Sequence, residues 1–561
     1  MKIAFITLGC KLNQCETETI AAGFAAKGFE VSVGAPAASP ADIIFINTCT
    51  VTSKAEQKAR RIIRAALKTA NLVIVSGCYA ELNKSDIEKL DSGGRLKVVG
   101  ISERETIAGL VDSIVGSGQW VVGSEQWVVG SEQRVEGSEQ WVEGSGQWVE
   151  GSGQWTVGSE QWVVGSILSS RKQSTNECNN VEADIPDTTP ATGNQQPATG
   201  NRQPATGLLL TTHYPLPTNF RSRPFIKIQD GCGRACAYCR TVLARGKSVS
   251  VPPQTILAAL SAYEKAGALE AVLTGVNIGQ YSVDSGQGTV DSQGTGDRGQ
   301  GTGDSQGTVD SPVTGCRLPV GSDISNTKPE TGNQQPATGT NLSSLLGCLL
   351  DNTQKIALRL SSLEPEAFTQ DFIGVFKNDR IRPHIHISAQ SGCARILRAM
   401  GRGCAAVDML ETIEQLRGAR NDPFIACDII AGFPGEDDGA FAETLDFCKK
   451  ARFAWIHAFP YSPRPGTAAY TMKNRPPESE AVKRVAALTA LAKHENRAYI
   501  ERWIERGGTL NAVPLTAGKS NTLTLLTENY IKVKIPSSGT KTERCRLTSI
   551  DGEGIVWGEF V

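Results

Sequence analysis

Three cysteines stand close together in Cys232-Gly-Arg-Ala-Cys236-Ala-Tyr-Cys239, spaced C-x3-C-x2-C. Thiolates at that spacing on one loop can each take one iron of a [4Fe-4S] cluster, which leaves the fourth iron without a protein ligand and open to chemistry. Half of a zinc site and three unrelated buried cysteines are the plainer readings. Zinc usually joins a C-x2-C pair to a second ligand pair, and no histidine lies nearby.

Three further cysteines recur at equivalent points. Cys10 follows the apolar run Lys2 to Gly9, Cys49 follows Ile43 to Thr48, and Cys78 follows Leu72 to Gly77. Each run reads as a strand, with amphipathic helices at about 14 to 29 and 54 to 67 between them, so residues 1 to 115 read as a parallel α/β domain. In an open parallel sheet the carboxyl ends of the strands face one crevice, where ligands bind. Cys10, Cys49 and Cys78 are therefore expected to converge as a second three-thiolate site. Cys15, one turn into the next helix, reads as a buried or incidental cysteine.

The loop of Cys232 follows the apolar run Pro224 to Gln229, the first of six strand segments. The others are Glu270 to Gly275, Lys355 to Ser362, Arg382 to Ala389, Phe424 to Phe433 and Trp455 to Ser462, with helical patterns such as 405 to 420 and 437 to 452 between. Six βα units over 218 to 475 predict a partial (β/α)6 barrel with its active groups at the carboxyl ends of the strands. A helix at 476 to 508 links this to residues 509 to 561, whose short strands predict a small all-β barrel. Lys532 and Lys534 on one of those strands are candidates for phosphate contacts, or simply a solvated face.

Two stretches break this α/β order. Residues 116 to 217 open on a seven-residue unit of the type Gly-Ser-x-Gln-Trp-Val-x and continue rich in Thr, Pro and Asn, while 282 to 341 are dominated by Gly, Asp, Ser, Gln and Thr. The string TGNQQPATG occurs in both, at Thr192 to Gly200 and Thr331 to Gly339. Gly and Ser in every unit oppose a coiled coil, and seven residues are too few for a solenoid turn. Both read as disordered low-complexity insertions into tolerant surface loops. The second must then fold outward to leave the barrel mouth open.

Lys plus Arg number 57 and Asp plus Glu 58 in 561 residues, a near balance that hides a mixture. The two insertions carry 18 acidic and 7 basic residues, leaving 50 basic against 40 acidic, a net of about +10 on the remainder. A mildly basic core permits a polyanionic partner. Fifteen cysteines, no apolar leader and no apolar run near the roughly 20 residues of a membrane span predict a soluble, cytoplasmic protein in a reducing compartment.

The Cys232 motif after a strand resembles the radical S-adenosylmethionine (radical SAM) superfamily. The wider pattern resembles the methylthiotransferases of that superfamily over roughly 1 to 115, 220 to 281 and 342 to 561. It rests on Thr7-Leu-Gly-Cys-Lys-Leu-Asn-Gln14, Asn47-Thr-Cys-Thr-Val-Thr52, Ser76-Gly-Cys-Tyr79, Ile228-Gln-Asp-Gly-Cys232, Leu273-Thr-Gly-Val-Asn277, Arg359-Leu-Ser-Ser-Leu-Glu-Pro365, Gln390-Ser-Gly392, Asp428-Ile-Ile-Ala-Gly-Phe-Pro-Gly-Glu436 and Phe459-Pro-Tyr-Ser-Pro-Arg-Pro-Gly466. The first and last of these are most similar to the branch acting on N6-threonylcarbamoyladenosine beside the tRNA anticodon.

The resemblance implies two [4Fe-4S] clusters. One, on Cys232, Cys236 and Cys239, binds and cleaves S-adenosylmethionine, and the resulting radical takes a hydrogen from C2 of the adenine. The other, on Cys10, Cys49 and Cys78, holds or donates the sulfur, which a second S-adenosylmethionine methylates. It further implies cofactor contacts at Tyr238, Gly275, Asn277 and Gln390, a terminal RNA-binding domain of the TRAM type, the tRNA anticodon stem-loop as partner, an electron donor such as flavodoxin or ferredoxin, and an unnamed sulfur donor. Cys393, Gly403-Cys404 and Ser388-Ala389 depart from the family pattern, and none of them is among the six cysteines proposed as ligands. The departures bear on the substrate branch. The alternatives are another tRNA adenosine, such as isopentenyladenosine, a ribosomal-protein aspartate, or a non-enzymatic iron-sulfur RNA-binding module.

Overall fold

A computed structural model describes residues 1–34, 40–104, 107, 222–283, 340–517, 522–536 and 544–561, with the backbone of 119–122 and 125–128. All belong to one unit formed by residues 1–129 and 204–561. The N-terminal part is a five-stranded parallel sheet in the order β2-β1-β3-β4-β5. Its strands are β1 (Lys2–Thr7), β2 (Glu30–Val33), β3 (Ile43–Thr48), β4 (Leu72–Gly77) and β5 (Leu96–Val98), with helices α1 (Lys11–Ala26), α2 (Ser53–Ala66), α3 (Cys78–Leu82) and α4 (Lys84–Glu88). β3 and β4 are buried at every position, as expected of central parallel strands covered on both faces. β2 and β5 are short edge strands that the sequence reading passes over, because four and three residues carry too little periodicity to register. α1 begins at Lys11, three residues before the expected start.

Gln119–Val122 (β6) and Glu125–Val128 (β7) pair as an antiparallel hairpin, with Trp120 opposite Trp127. The sequence reading expects no regular structure there. Trp and Val, both residues with high strand preference, favour strand in these two segments. The rest of both insertions lies outside the described residues.

Six parallel strands form the barrel arc. β8 (Phe225–Lys227) continues after a break into β9 (Gln229–Asp230), which pairs with β10 (Val249–Ser250); α5 (Thr241–Arg245) lies between them, and α6 (Pro253–Lys265) leads to β11 (Glu270–Thr274). β12 (Ser282–Val283) and β13 (Thr340–Asn341) then pair antiparallel, Ser282 opposite Asn341 and Val283 opposite Thr340, so the two ends of the second insertion lie side by side. After α7 (Leu342–Asp351) come β14 (Ala357–Leu360), α8 (Gln370–Phe376), β15 (His384–Gln390), α9 (Ala394–Ala399), α10 (Ala406–Ala419), β16 (Phe424–Ala431), α11 (Asp438–Ala451) and β17 (Trp455–Pro460). The pairings β8-β11-β14 and β15-β16-β17 are joined by the bridges Leu358–Ile381 and Leu363–Ile387. Alternate residues such as Leu358, Leu360, Ile385, Ile387, Cys427, Ile429 and Ile456 pack outward against the helices in one apolar core.

The 29-residue helix α12 (Glu478–Arg506) leads to a closed barrel of β18 (Thr509–Ala517), β19 (Thr522–Thr527), β20 (Lys532–Pro536), β21 (Arg544–Ile550) and β22 (Val556–Phe560). The turn between β19 and β20 reaches the amino end of the barrel arc. Arg359 donates to the carbonyls of Thr527 and Glu528 at 3.2 and 3.1 Å, and Tyr530 packs on His384 with ring centroids 4.1 Å apart. Buried Glu270 binds Arg359 and Arg382 at 2.6 and 2.8 Å, with Arg223 at 3.5 Å, so one carboxylate gathers three strand starts above that turn. Among the described residues no helix is long and apolar enough to cross a membrane.

Candidate active site at the facing sheet and barrel rims

β1, β3 and β4 are neighbours in the sheet, so Cys10, Cys49 and Cys78 leave three adjacent strand ends. Two glycines make this approach possible. A Cβ at Gly77, whose φ is +102°, would sit 2.3 Å from the carbonyl oxygen of Thr48, and one at Gly9, at φ +119°, would sit 2.9 Å from Cβ of Cys49. Both positions are closed to other residues by conformation and by space. Cys49 and Cys78 are buried and Cys10 is exposed at the rim. Burial pushes the Cys49 thiol up to about 12, with the neighbouring Cys78 and Cys10 adding to it. Cys78 is also raised by burial, against the lowering pull of Arg245.

On the barrel side, Cys232, Cys236 and Cys239 share one loop after β9. Gly231 starts the loop at φ +66°, where a Cβ would lie 1.9 Å from the carbonyl oxygen of Lys247. The Cys239 amide donates to the Cys236 carbonyl at 3.0 Å. Asn277, after β11, reaches the sulfur of Cys232 at 3.8 Å. Arg402 lies 3.9 Å from the sulfur of Cys236 and 3.5 Å from the Tyr238 hydroxyl, and it is anchored by Glu364 and the carbonyl of Ser388. Gln229 ties the parts together: its Nε2 donates to the carbonyls of Asp230 and Gly231, and its Oε1 accepts from the Asn277 amide at 2.9 Å. A Cβ on Gly275 would sit 2.7 Å from the Gln229 carbonyl oxygen. Gln390, at the end of β15, is held at φ +69°, a conformation a non-glycine residue keeps only when its surroundings enforce it.

The two rims face each other through buried charge. Arg245, on α5 just beyond the Cys232 loop, donates from Nε to the sulfur of Cys78 at 3.2 Å, from Nη1 to Glu16 and Asp230 at 2.8 and 2.9 Å, and from Nη2 to Asn13 at 2.8 Å. Lys227 binds Asp230 at 2.5 Å, and Arg104 binds Glu16 at 2.6 Å. Burial alone would raise Glu16, but Arg104, Arg245 and Lys227 hold it well below the usual carboxylate range. A second bridge joins the neighbours of two cysteines: Arg240, next to Cys239, donates to Thr50, next to Cys49, at 3.3 Å, and both Arg240 and Arg464 bind Glu56. Cys15 packs at the same seam, buried, with its sulfur 3.5 Å from the carbonyl oxygen of Phe225.

Inside the arc, on the face opposite the apolar core, Ser362 Oγ meets His386 Nδ1 at 2.7 Å and His386 Nε2 meets Asp428 at 3.2 Å, with the His457 ring 5.0 Å from that of His386. Burial pushes His457 down to about 4, so it is neutral at ordinary pH. The interior is thus polar and hydrogen-bonding rather than greasy. A separate groove of about 610 Å3, lined by Lys377, Arg420, Asn511 and Glu528 among others, lies at the amino end of the arc, away from the cysteines.

Each of the two sets offers thiol sulfur alone, the donor type that iron-sulfur clusters take. Among the described residues no group of three or more His, Cys, Asp or Glu side chains is placed to hold a single metal ion. Thiolates of a cluster bind different irons and stand farther apart. Polar N–H groups approach the sulfurs: Val51 to Cys49 and Arg234 to Cys232 at 3.5 Å, and Arg245 to Cys78 at 3.2 Å. Such donors stabilise the negative charge of bound thiolates and set the potential of the cluster they hold.

Residues 2–98 match a family model described as "Uncharacterized protein family UPF0004". Across nearly the whole chain, a "Threonylcarbamoyladenosine tRNA methylthiotransferase MtaB" of Treponema pallidum is 32% identical over 547 residues, covering 95% of this chain and 94% of that protein. The chain belongs to this methylthiotransferase family. A protein of the same name from Thermotoga maritima is 26% identical over 89% of this chain and 83% of its own length. A "tRNA-2-methylthio-N(6)-dimethylallyladenosine synthase" of Syntrophus aciditrophicus is also 26% identical, over 86% and 78%. Family motifs locate the six cysteines. They also contain Gln229, but give no signal for Arg245, Glu16, Arg104 or Arg402, whose partners lie far off in sequence. The only local hint is charge in an otherwise apolar strand, at Lys227 and Asp230.

Proposed function

We propose that this protein is a tRNA methylthiotransferase that converts N6-threonylcarbamoyladenosine beside the anticodon to its 2-methylthio derivative, using two [4Fe-4S] clusters and S-adenosylmethionine. The observation that carries it is the 32% identity to a relative of that name over 95% of the chain. When bound, the clusters and S-adenosylmethionine supply radical cleavage of an unactivated C–H bond and a sulfur donor site, chemistry beyond any acid or base side chain here. We assign the first cluster to Cys232, Cys236 and Cys239 and the second to Cys10, Cys49 and Cys78.

The chain's own residues hold and orient. Tyr238, edge-on to Phe433, would stand against the cofactor's adenine, and Gly275, Asn277 and Gln390, at the ends of the second and fourth strands, would hold the rest of it. Arg245 and Arg240 lock the rims together, which fixes the spacing of the two centres; misplacement by about 1 Å can cost on the order of 10^2 in rate. Ser362, His386, Asp428 and His457 offer the adenosine hydrogen-bonding groups inside the arc. The domain limits 1–115, 218–475 and 509–561, a TRAM-type role for the last, a flavodoxin- or ferredoxin-like electron donor, a separate sulfur donor and a cytoplasmic location complete the reading.

Mass spectrometry of tRNA nucleosides from cells with and without the gene tests it. Loss of 2-methylthio-N6-threonylcarbamoyladenosine is expected; loss of the isopentenyl counterpart instead would move the protein to the other branch. In purified protein, Cys236→Ala should abolish 5'-deoxyadenosine release, while Cys49→Ala should keep that release and stop product formation. Product from Cys49→Ala would overturn the two-cluster assignment.

A further inference from the structure

Helix α2 carries an unusual distribution of charge. Lys54, Lys58, Arg61 and Arg64, with Lys68 just past its end, are all exposed. At 100° per residue the five fall within an arc of about 120°. Glu56, Ala59, Ile63 and Ala66 occupy the buried side, and Glu56, the helix's one acid, is turned inward onto Arg240 and Arg464. Among the described residues no ion pair engages any of the five cations. Other surface helices interleave their charges: Glu480 pairs with Lys483 and Arg497 with Glu501 on α12, and Asp446 with Lys450 on α11. Lys54 even stands in the first turn, against the positive end of the helix dipole, where a cation is locally unfavourable.

We propose that this stripe is a track for the sugar-phosphate backbone of the tRNA, a proposal that rests on tRNA being the substrate. The helix starts four residues after Cys49, and its first residue, Ser53, bonds Ser462 and Arg464 of the loop after β17. The cations therefore run outward from the rim where the two cysteine sets face each other. From Lys54 to Lys68 the helical rise is about 21 Å. A backbone lying along it has its Lys54 end at the mouth, where a flipped adenosine enters, while the rest of the anticodon arm extends away. An acidic redox protein fits the sign of the charge but not its direction, because an electron donor must approach the clusters, and the stripe leads away from them.

Each Lys or Arg that neutralises a phosphate releases counterions, so the logarithm of the binding constant falls with the logarithm of salt by about 0.7 to 0.9 per contact. The test is binding of unmodified tRNA to the full-length, cluster-loaded protein between about 50 and 200 mM salt. For the triple variant Lys58→Gln, Arg61→Gln, Arg64→Gln the slope should fall by about 2 to 3, with affinity at least about tenfold weaker at the low-salt end. The charge-keeping variant Lys58→Arg, Arg61→Lys, Arg64→Lys should bind as the unaltered protein does. Deoxyadenosine release without tRNA should be unchanged in both. An unchanged slope and affinity in the glutamine variant overturns the track. If that variant binds tRNA normally but is reduced slowly by an acidic redox protein, the occupant is the electron donor and the RNA assignment falls. Failure of the unaltered protein to bind tRNA at any salt would instead sink the functional reading itself.

Discussion

The Nε of Arg245 lies 3.2 Å from the sulfur of Cys78, and the same guanidinium holds Glu16 of the sheet domain and Asp230 of the barrel. One side chain, carried on the barrel, thus touches a proposed ligand on the opposite rim and closes the seam between them. A hydrogen bond to a cluster thiolate favours the reduced, more negative state, so removing it should lower the potential. Arg245→Lys keeps a charge but loses the fork, and the potential of the N-terminal cluster is expected to shift negative in an electron paramagnetic resonance titration of protein whose other cluster is deleted by Cys236→Ala. Arg245→Gln leaves two buried carboxylates short of a partner and should cost about 3–5 kcal/mol in denaturant unfolding. An unmoved potential in the Lys variant would show that the contact is structural only.

Glu270 gives the fold a defined acid limit. Burial would raise its carboxyl, but Arg359, Arg382 and Arg223 bring it down to about 2. A carboxylate depressed in the folded state stabilises above its unfolded pKa, near 4.3, and that contribution fades as pH falls toward about 2. Glu270→Gln should lower stability at neutral pH by about 3–5 kcal/mol, since three arginines lose their counter-charge, and should flatten the acid slope between about pH 4.3 and 2. Thermal melts across that window check it; parallel slopes in the two proteins would remove Glu270 as the cause.

Gly77 marks where the sheet admits Cys78. Gly77→Ala forces a methyl group to within 2.3 Å of the Thr48 carbonyl oxygen at a φ of +102°. Strain of this kind costs about 1–3 kcal/mol for the conformation before the clash is counted. The expected outcome is a folded but weakened N-terminal domain with about half the iron of the unaltered protein, the barrel cluster being retained. Full iron content would show that the rim can shift without losing its ligand geometry.

The strands of the sheet and arc were legible because buried parallel strands are short apolar runs, and the six expected around the barrel appear where the runs lie. Cys10, Cys49 and Cys78 were legible as a set for the same reason: each follows such a run, and the sheet makes those runs neighbours. The seam was not. Arg245 and Glu16 are separated by 229 residues and meet only in the folded chain. Pairing of that kind leaves no period or spacing for a sequence to show. The role of the turn at Tyr530 was hidden likewise, since its contacts with Arg359 and His384 exist only once the chain is folded.

The antiparallel pairs Ser282–Asn341 and Val283–Thr340 clasp together two points of the chain that are far apart in sequence. Once two ends are clasped, the entropy of closing the chain between them grows only with the logarithm of its length, about 0.6 kcal/mol per doubling. Changes in the length of sequence between the two clasped points are therefore expected to cost the barrel little.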